Sequence, residues 1–278
     1  MASWSSAAGA LQQSHVSSDL NTIALPSSLR AELRGPVAIL WLNRAEKRNA
    51  LNDTLVQGMV AFFDALPAEI RAVVLAGDGD HFSAGLDLTE LEERDVFGGV
   101  AHSSSWHRAF ERIEFGKVPV VAVLHGAVVG GGLKLAAVVH IRVAERSAYY
   151  ALPEGSRGIF GGGSVRLPPL LGVARMMDMM LTGRTLNAEE GQAIGLSQYL
   201  VDDGAGLAKA IELAERIAGN APFTNFAVTH MLPRIARSDP AAGFATEALT
   251  AAIAQGEEEA KKRLKAFLEK RGPKVVRG

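Results

Sequence analysis

Short β-rich runs alternate with helical segments along the first part of the chain, and this alternation constrains the fold more than any other feature. The β-rich runs are 37–42, 72–76, 119–124 and 139–144. After the first run, apolar residues from Leu55 to Leu66 recur at helical spacing. Glycine-rich turns follow the second and third runs. Strands that alternate with helices in this way predict an α/β core with largely parallel strand pairing.

The segments on either side of this core have a different character. Residues 1–28 are rich in Ser and Ala without a sustained period, which predicts a flexible N-terminal arm; they also lack the basic and apolar regions of a secretory signal. Residues 29–205 form the predicted α/β core. Residues 206–278 form a predicted helical region, with helices expected at 206–218, 221–237, 240–255 and 257–270.

Composition excludes several classes of function. The 29 Lys and Arg residues balance 30 Asp and Glu residues, so no basic field indicates a nucleic-acid or membrane partner. The absence of cysteine excludes disulfides, thiolate nucleophiles and cysteine-ligated metals. The seven histidines have no metal-binding spacing, and we expect no metal site. The longest apolar stretch is interrupted by His125, Lys134 and a glycine triplet, so we expect a cytoplasmic protein without a membrane span.

Two turns, 81–88 (HFSAGLDL) and 125–136 (HGAVVGGGLKLA), place backbone N–H groups at strand ends. Three consecutive glycines in the second turn remove every Cβ where the chain enters a helix. Free N–H groups at a helix N-terminus favour an anion or a developing oxyanion. Each turn alone is also a common packing device, and neither matches a nucleotide-binding motif.

Six segments in order give the chain a specific likeness. It resembles the enoyl-CoA hydratase/isomerase (crotonase) family over about residues 30–273. The matching segments are NRAEKRNAL at 43–51, FSAGLDL at 82–88, HGAVVGGGLKLA at 125–136, ALPEGSRGIFGGGSVRLP at 151–168, LTGRTLNAEEGQAIGL at 181–196 and FLEKRGP at 267–273.

The resemblance implies a crotonase-like spiral of repeated ββα units with a helical C-terminal region used in trimer formation. It implies an acyl-CoA thioester as substrate, with no cofactor beyond the CoA moiety of that substrate. The expected reaction is hydration of an enoyl-CoA, or migration of its double bond. The expected assembly is a homotrimer, or a hexamer built as a dimer of trimers.

The resemblance also places the catalytic groups. The backbone N–H groups of Leu86 and Gly131 match the two donors of the family's oxyanion hole, and Glu154 matches one of its two acid/base carboxylates. Fixed donors stabilise an enolate oxygen without reorganisation, and losing one typically costs about 3 kcal/mol of barrier. The apolar residues that flank Glu154 favour a carboxyl group able to exchange protons near neutral pH.

Lys134 departs from the family pattern, because it occupies the position of the second catalytic Glu in two-carboxylate hydratases. A cation cannot hold the attacking water as a carboxylate does, and an ion pair with Glu154 would weaken that residue as a base. Three readings remain open: an enzyme that uses Glu154 alone, a changed reaction in which Lys134 takes part, or an impaired member. Further alternatives are a hydratase-lyase or acyl-CoA hydrolase acting on an aromatic or other apolar acyl group, and a scaffold that binds CoA or RNA.

Binding residues follow from the same resemblance. Lys47, Arg48 and the backbone around Ala50 match positions that hold the adenine and phosphates of CoA, whereas Ala84 and Asp87 flank the first oxyanion donor. Lys270 is a candidate phosphate ligand, although a solvated terminal helix is the favoured explanation of this basic segment.

Residues 91–112 are expected to form a mobile segment, and the resemblance implies that this segment shapes acyl specificity. Leu91, Val96, Phe97 and Trp106 would favour an apolar or aromatic acyl group. His102 and His107 lie near three serines at 103–105, but the chain lacks the G-x-S-x-G nucleophile elbow, so we predict no Ser-His triad.

Overall fold

A computed structural model describes residues 24–90, 95–161 and 163–271, and the structural statements below concern those ranges. Residues 1–23 of the predicted N-terminal arm lie outside the described residues, and so does Leu91.

A six-stranded sheet forms the centre of the molecule. Its strands stand in the order β1, β2, β3, β4, β6, β9, and all neighbours are parallel except the antiparallel pair β1–β2. These strands are β1 Leu29–Arg34, β2 Val37–Leu42, β3 Ala72–Gly77, β4 Val120–Leu124, β6 Ile141–Glu145 and β9 Tyr199–Val201. Strands β2, β3 and β4 consist almost entirely of buried residues, since both faces of a parallel sheet are covered.

The two faces of the sheet pack into separate cores. On β2, Ala38, Leu40 and Leu42 belong to one core, whereas the alternating residues Val37, Ile39 and Trp41 belong to the other. The first core is covered by helices α1, α2 and α3, and the second by α7. These helices are α1 Asp53–Asp64, α2 Val96–Glu114, α3 Gly131–Val138 and α7 Gly206–Ala218.

A second, three-stranded sheet lies beside the first. Strand β7 pairs parallel with β5 and antiparallel with β8. The strands are β5 Ala127–Val129, β7 Tyr149–Ala151 and β8 Leu186–Asn187. The connecting helices are α4 Pro168–Leu171, α5 Val173–Thr182 and α6 Ala188–Ala193, with short 3-10 turns at Ala45–Lys47, Leu88–Glu90 and Gly155–Arg157.

The C-terminal part is helical, as predicted. It comprises α8 Pro222–Phe226, a π-helical turn Ala227–Met231, α9 Leu232–Ile235, α10 Pro240–Gly256 and α11 Glu258–Leu268. The predicted helix 221–237 is present as continuous helical backbone from Pro222 to Ile235, with a π-helical turn before Pro233, which lacks the N–H that an unbroken α-helical ladder needs. Helix α7 begins at the expected residue and packs on the large sheet. The domain boundary at 206 stays a prediction.

Residues 96–114 differ from the expectation of a mobile segment, since they form the 19-residue helix α2. Asp95 caps this helix by accepting a hydrogen bond from the Gly98 N–H at 2.7 Å. Ala109, Phe110 and Ile113 then anchor its second half in the core. Among the described helices, none is long and apolar enough to cross a membrane.

Candidate active site

A pocket of about 210 Å³ opens beside the junction of the two sheets. It lies between the turn that follows β3, one face of α2, the first turn of α3 and the segment that follows β7. Its lining is mostly apolar and includes Ala84, Gly85, Leu86, Leu88, His102, Ser103, Trp106, His107, Phe110, Gly130, Gly131, Lys134, Pro153, Glu154, Arg157, Ile159 and Phe160.

The turn that carries Leu86 is fixed by neighbours on both sides. On one side, Leu51 donates its N–H to the Gly85 carbonyl at 2.7 Å and accepts from the Asp87 N–H at 2.8 Å. On the other side, Ser83 donates to the Ala127 carbonyl at 2.9 Å. The backbone around Leu86 is therefore held between the 43–51 segment and β5, which limits its movement.

The amides of Leu86 and Gly131 are close neighbours. A Cβ added at Gly131 would lie 3.2 Å from the Leu86 nitrogen, and one added at Gly85 would lie 3.0 Å from the Gly131 nitrogen. Neither N–H donates a hydrogen bond to another described group. Gly130 enters α3 with a φ of 52°, a conformation that glycine adopts without strain. Two unpaired backbone donors thus meet at one wall of the pocket, next to the positive end of α3.

Strand pairing brings Glu154 to the same point. Strands β5 and β7 are parallel, and their last residues, Val129 and Ala151, are paired. The residues that follow each strand therefore leave the sheet side by side. Gly130 donates its N–H to the Ala151 carbonyl at 2.9 Å. Glu154 follows Leu152 and Pro153, is 2% exposed, and starts the turn Gly155–Arg157.

Lys134 contacts the Glu154 carboxylate directly. The distance from Lys134 Nζ to Glu154 Oε1 is 3.2 Å, and the side chains are only 15% and 3% exposed. Lys134 reaches this position from the first turns of α3, one turn after Gly131. Glu154 Oε2 is buried without a hydrogen-bond partner among the described residues. The two carboxylate oxygens therefore have different environments: Oε1 faces an ammonium, and Oε2 is unpartnered.

Asp87 has a supporting position behind the pocket. Its buried carboxylate accepts from Arg44 at 2.8 Å, from Lys47 at 3.2 Å and from the Thr89 hydroxyl at 2.6 Å. The Thr89 hydroxyl, followed by the two cations, holds the pKa of Asp87 well below its usual range although burial acts in the opposite direction. Through these hydrogen bonds, Asp87 holds the segment after Leu86 against Arg44 and Lys47.

The structure gathers only part of the residues named from sequence. Leu86, Gly131, Lys134, Glu154 and Ala84 all line the pocket. The other candidates do not line the pocket. Lys47 pairs with Asp87, and the Ala50 carbonyl accepts a hydrogen bond from Arg44. Arg48, at the end of a 3-10 turn, and Lys270, after α11, are exposed. Their role in CoA binding stays a prediction.

Sequence reasoning missed most of the wall that α2 contributes. His102, Ser103, Trp106, His107 and Phe110 line the pocket from one face of this helix. Their successive spacing of one, three, one and three residues is the signal that was available, because it is typical of one helical face. The glycine pair at 98–99 and the charges before it hid this pattern.

Comparison with known proteins agrees with this geometry. Residues 32–276 match the family model described as enoyl-CoA hydratase/isomerase. The short-chain-enoyl-CoA hydratase of Clostridium acetobutylicum is 30% identical over 91% of this chain and 97% of its own length. A Rhodopseudomonas palustris protein assigned as an enoyl-CoA hydratase has a solved structure with a TM-score of 0.87 and 58% identity, covering 90% of this chain and 98% of that one. A structure from Thermobifida fusca, also assigned as an enoyl-CoA hydratase and in complex with CoA, has a TM-score of 0.75 and 25% identity, covering 83% and 93%.

The chain belongs to the enoyl-CoA hydratase/isomerase (crotonase) family. It is an acyl-CoA enzyme of that family, and the predicted crotonase fold is confirmed.

Proposed function

We propose that this enzyme moves a single proton on an enoyl-CoA thioester with Glu154 as its only acid/base carboxylate, and that double-bond isomerisation is its principal reaction. The observation that carries this proposal is the Lys134–Glu154 pair, with one carboxylate oxygen held and the other free. Glu154 is also the only carboxylate among the described residues that line the pocket. A reaction that needs one shuttling group fits this arrangement best.

The amides of Leu86 and Gly131 bind the thioester oxygen in this mechanism. Removal of a proton from C2 of a 3-enoyl-CoA converts the thioester to a dienolate, and the negative charge develops on that oxygen. Two preorganised donors stabilise this charge most at the moment when it forms. The apolar lining lowers the local dielectric and strengthens the same interaction.

Glu154 takes the C2 proton on Oε2 and returns it to C4. The double bond moves from C3–C4 to C2–C3, and the carboxylate regains its negative charge, so no other reactant is required. The Lys134 ammonium holds Oε1 and fixes the orientation of the carboxylate throughout. Lys134 is therefore a positioning residue in this reaction.

Hydration is a second candidate, favoured by the 3.2 Å contact between Lys134 Nζ and Glu154 Oε1. Glu154 would take a proton from water as its oxygen attacks C3 of a 2-enoyl-CoA, and the ammonium would protonate C2. Transfer of a proton from the Glu154 carboxyl to the neutral amine would then restore both groups. Hydration makes Lys134 essential, whereas isomerisation does not.

The substrate is an acyl-CoA thioester. The Thermobifida fusca relative with bound CoA supports this assignment. Exposed Lys47 and Arg48 supply cations near the turn that carries Leu86, where charge-assisted hydrogen bonds to the phosphates of CoA can form. We also propose a homotrimer or hexamer, as the resemblance implies, because apolar residues of α10 and α11 such as Phe244 and Phe267 are exposed in the single chain.

One set of assays separates the candidates. Wild type and Lys134→Met are compared on 3-hexenoyl-CoA and on crotonyl-CoA by the absorbance of the conjugated enoyl thioester. We expect the wild type to form the conjugated product from 3-hexenoyl-CoA, and Lys134→Met to retain at least about a tenth of that rate. Loss of crotonyl-CoA hydration in the same variant supports the second candidate. A Lys134→Glu variant that hydrates crotonyl-CoA much faster than wild type identifies an impaired hydratase, and wild type inactive on both thioesters contradicts the proposal.

A further inference from the structure

Three side chains form a connected chain behind the α2 wall of the pocket. Glu114 Oε2 lies 2.6 Å from Arg166 Nε, and Arg166 Nη1 lies 3.3 Å from His107 Nδ1. The side chains of Arg166 and Glu114 are only 9% and 15% exposed. His107 itself lines the pocket. The proposed mechanism uses none of these residues.

The contact with Arg166 fixes the tautomer of His107. A guanidinium group has only N–H donors and stays protonated in proteins. His107 Nδ1 must therefore accept this hydrogen bond, and a neutral imidazole then carries its proton on Nε2. His107 Nε2 has no hydrogen-bond partner among the described residues, and the His107 side chain is only partly buried. His107 thus offers one N–H donor at the pocket wall.

The pocket lining is mostly apolar but also includes the polar side chains of His102, Ser103 and Arg157. Trp106, Phe110 and Ile159 line the same pocket. The indole N–H of Trp106 is directed away from any ligand, because it donates to Asp53. A purely hydrocarbon acyl group that covered His107 would remove water from its Nε2–H without replacing the hydrogen bond, and such a loss is unfavourable.

From this geometry we infer that His107 is a specificity-determining residue that donates from Nε2 to an acceptor oxygen on the distal part of the acyl group. The inference rests on the proposed function, since it requires an acyl-CoA in this pocket. The oxygen is a neutral one, in an ether, hydroxyl or keto group on an otherwise apolar chain. Arg166 and Glu114 act through His107 as positioning residues.

The charge balance favours a neutral oxygen over a carboxylate. The charge of Arg166 is offset by Glu114, and that of Lys134 by Glu154. Arg157 lines the pocket but is exposed, so its charge is largely screened by solvent. Because these buried charges are paired, the described pocket lining offers an acyl carboxylate no uncompensated buried cation.

Binding of unreactive saturated thioesters tests the inference without turnover. Octanoyl-CoA is compared with analogues in which an ether oxygen replaces C5, C6 or C7, and with a carboxylate-terminated analogue, by isothermal titration calorimetry. We expect His107→Leu to lower the preference for at least one ether analogue over octanoyl-CoA by about tenfold, the effect of one hydrogen bond. His107→Gln, which keeps an N–H donor, should retain part of that preference. The control is Arg108→Gln, an exposed position on the same helix, which should leave it unchanged.

A second measurement reports on the hydrogen-bond chain itself. ¹⁵N NMR of the imidazole nitrogens should show His107 protonated on Nε2 only, and Arg166→Met should give a mixture of tautomers. A His107 protonated on Nδ1 in the wild type overturns the inference. So does an unchanged ether preference in folded His107→Leu, or a preference for the carboxylate analogue that depends on Arg157. Wild type that binds no thioester at all overturns the proposed function as well, which distinguishes the two failures.

Discussion

Glu154 illustrates how much of the mechanism depends on single atoms. Its Oε1 contacts the Lys134 ammonium at 3.2 Å, whereas its Oε2 is buried without a partner among the described residues. An unpaired buried carboxylate oxygen is costly, and such groups in native structures call for an explanation. The proposed proton transfer to and from substrate at Oε2 would supply one.

The first prediction is that Glu154→Gln lowers kcat on the preferred enoyl-CoA by about 10³-fold, since positioned acid/base groups typically contribute 10²- to 10⁴-fold. The amide keeps the size of the side chain but cannot accept the proton. Steady-state kinetics on both enoyl isomers provide the measurement. Glu111→Gln, at an exposed position on α2, is the control and should retain full activity. Activity unchanged in Glu154→Gln would remove the proposed base.

The second residue-scale prediction concerns Asp87, whose carboxylate is 4% exposed and pairs with Arg44 and Lys47. Asp87→Asn removes the negative charge that these cations face, and breaking a buried pair by removing one partner typically costs about 3 kcal/mol. We expect a similar decrease in the free energy of unfolding, measured by urea denaturation. Asp78→Asn, which breaks an exposed ion pair with Arg30, should cost less than about 1 kcal/mol. Equal effects of the two variants would contradict the supporting role of Asp87.

At the scale of elements, the contact between α3 and the turn after β3 determines where the two amides meet. Gly132 lies against this turn, and a Cβ at this position would lie 2.4 Å from the Ser83 carbonyl oxygen. That oxygen accepts the Val129 N–H and cannot move without disturbing β5. Glycine at 132 is thus required for close approach of the backbone.

The third prediction is that Gly132→Ala separates α3 from this turn, lowering kcat/KM at least tenfold and the melting temperature by several degrees. The physical reason is the backbone clash, since overpacking typically costs about 1–3 kcal/mol. Gly99→Ala is the matched control, because this exposed glycine of α2 has open space around it. That control should be neutral or stabilising by up to about 1 kcal/mol. If Gly132→Ala retained full activity, close packing at this point would not position the donors.

Sequence reasoning succeeded for elements with strong local signals. The buried runs of β2, β3 and β4 and the first residue of α7 agree with the prediction. Asn187 and Glu190 form a capping box, whose spacing of three residues is a signal visible in the sequence. Sequence reasoning missed helix α2, because its Gly98–Gly99 pair weakens helix propensity. Burial of Phe110 and Ile113 stabilises this helix through contacts with residues far away in the sequence. The short strands β5, β7 and β8 also depend on such long-range pairing.

The candidate site was predictable to a similar degree. Motif positions indicated Leu86, Gly131, Lys134 and Glu154, and all four line one pocket. The sequence also suggested Glu154 as the ion-pair partner of Lys134, but it gave neither the 3.2 Å geometry of this contact nor the separate environments of the two oxygens. The contact of His107 with Arg166 joins residues 59 positions apart and leaves no local pattern in the sequence.

For the whole molecule, the fourth prediction concerns stability against pH. Burial lowers the pKa of His140 to about 4 from its ordinary value of 6.5. Its Nδ1 accepts from the Val120 N–H at 2.9 Å, and its other nitrogen contacts the Glu114 carbonyl at 3.2 Å. The unfolded chain binds a proton below pH 6.5, whereas the folded protein does so only below about pH 4. Stability from this group is therefore complete above pH 6.5 and is lost as the pH falls toward 4.

Urea denaturation at pH 7 and pH 5 measures this effect. We expect the free energy of unfolding to decrease by about 2 kcal/mol between these values, from the 1.4 kcal/mol that each pKa unit represents. His140→Gln cannot titrate and should flatten the profile over this range, although its stability at pH 7 will be lower. A wild type with the same slope as the variant would show that His140 is not the group responsible.

A crystal structure of the enzyme with a saturated acyl-CoA bound would test the proposed oxyanion hole most directly. We expect the thioester oxygen within about 3 Å of both the Leu86 and Gly131 nitrogens, the spacing typical of oxyanion donors. This mechanism requires both contacts. It also predicts C2 of the acyl chain facing Glu154 Oε2, with Lys134 still on Oε1. A thioester oxygen bound elsewhere, or a Glu154 carboxylate turned away from the acyl chain, would contradict it.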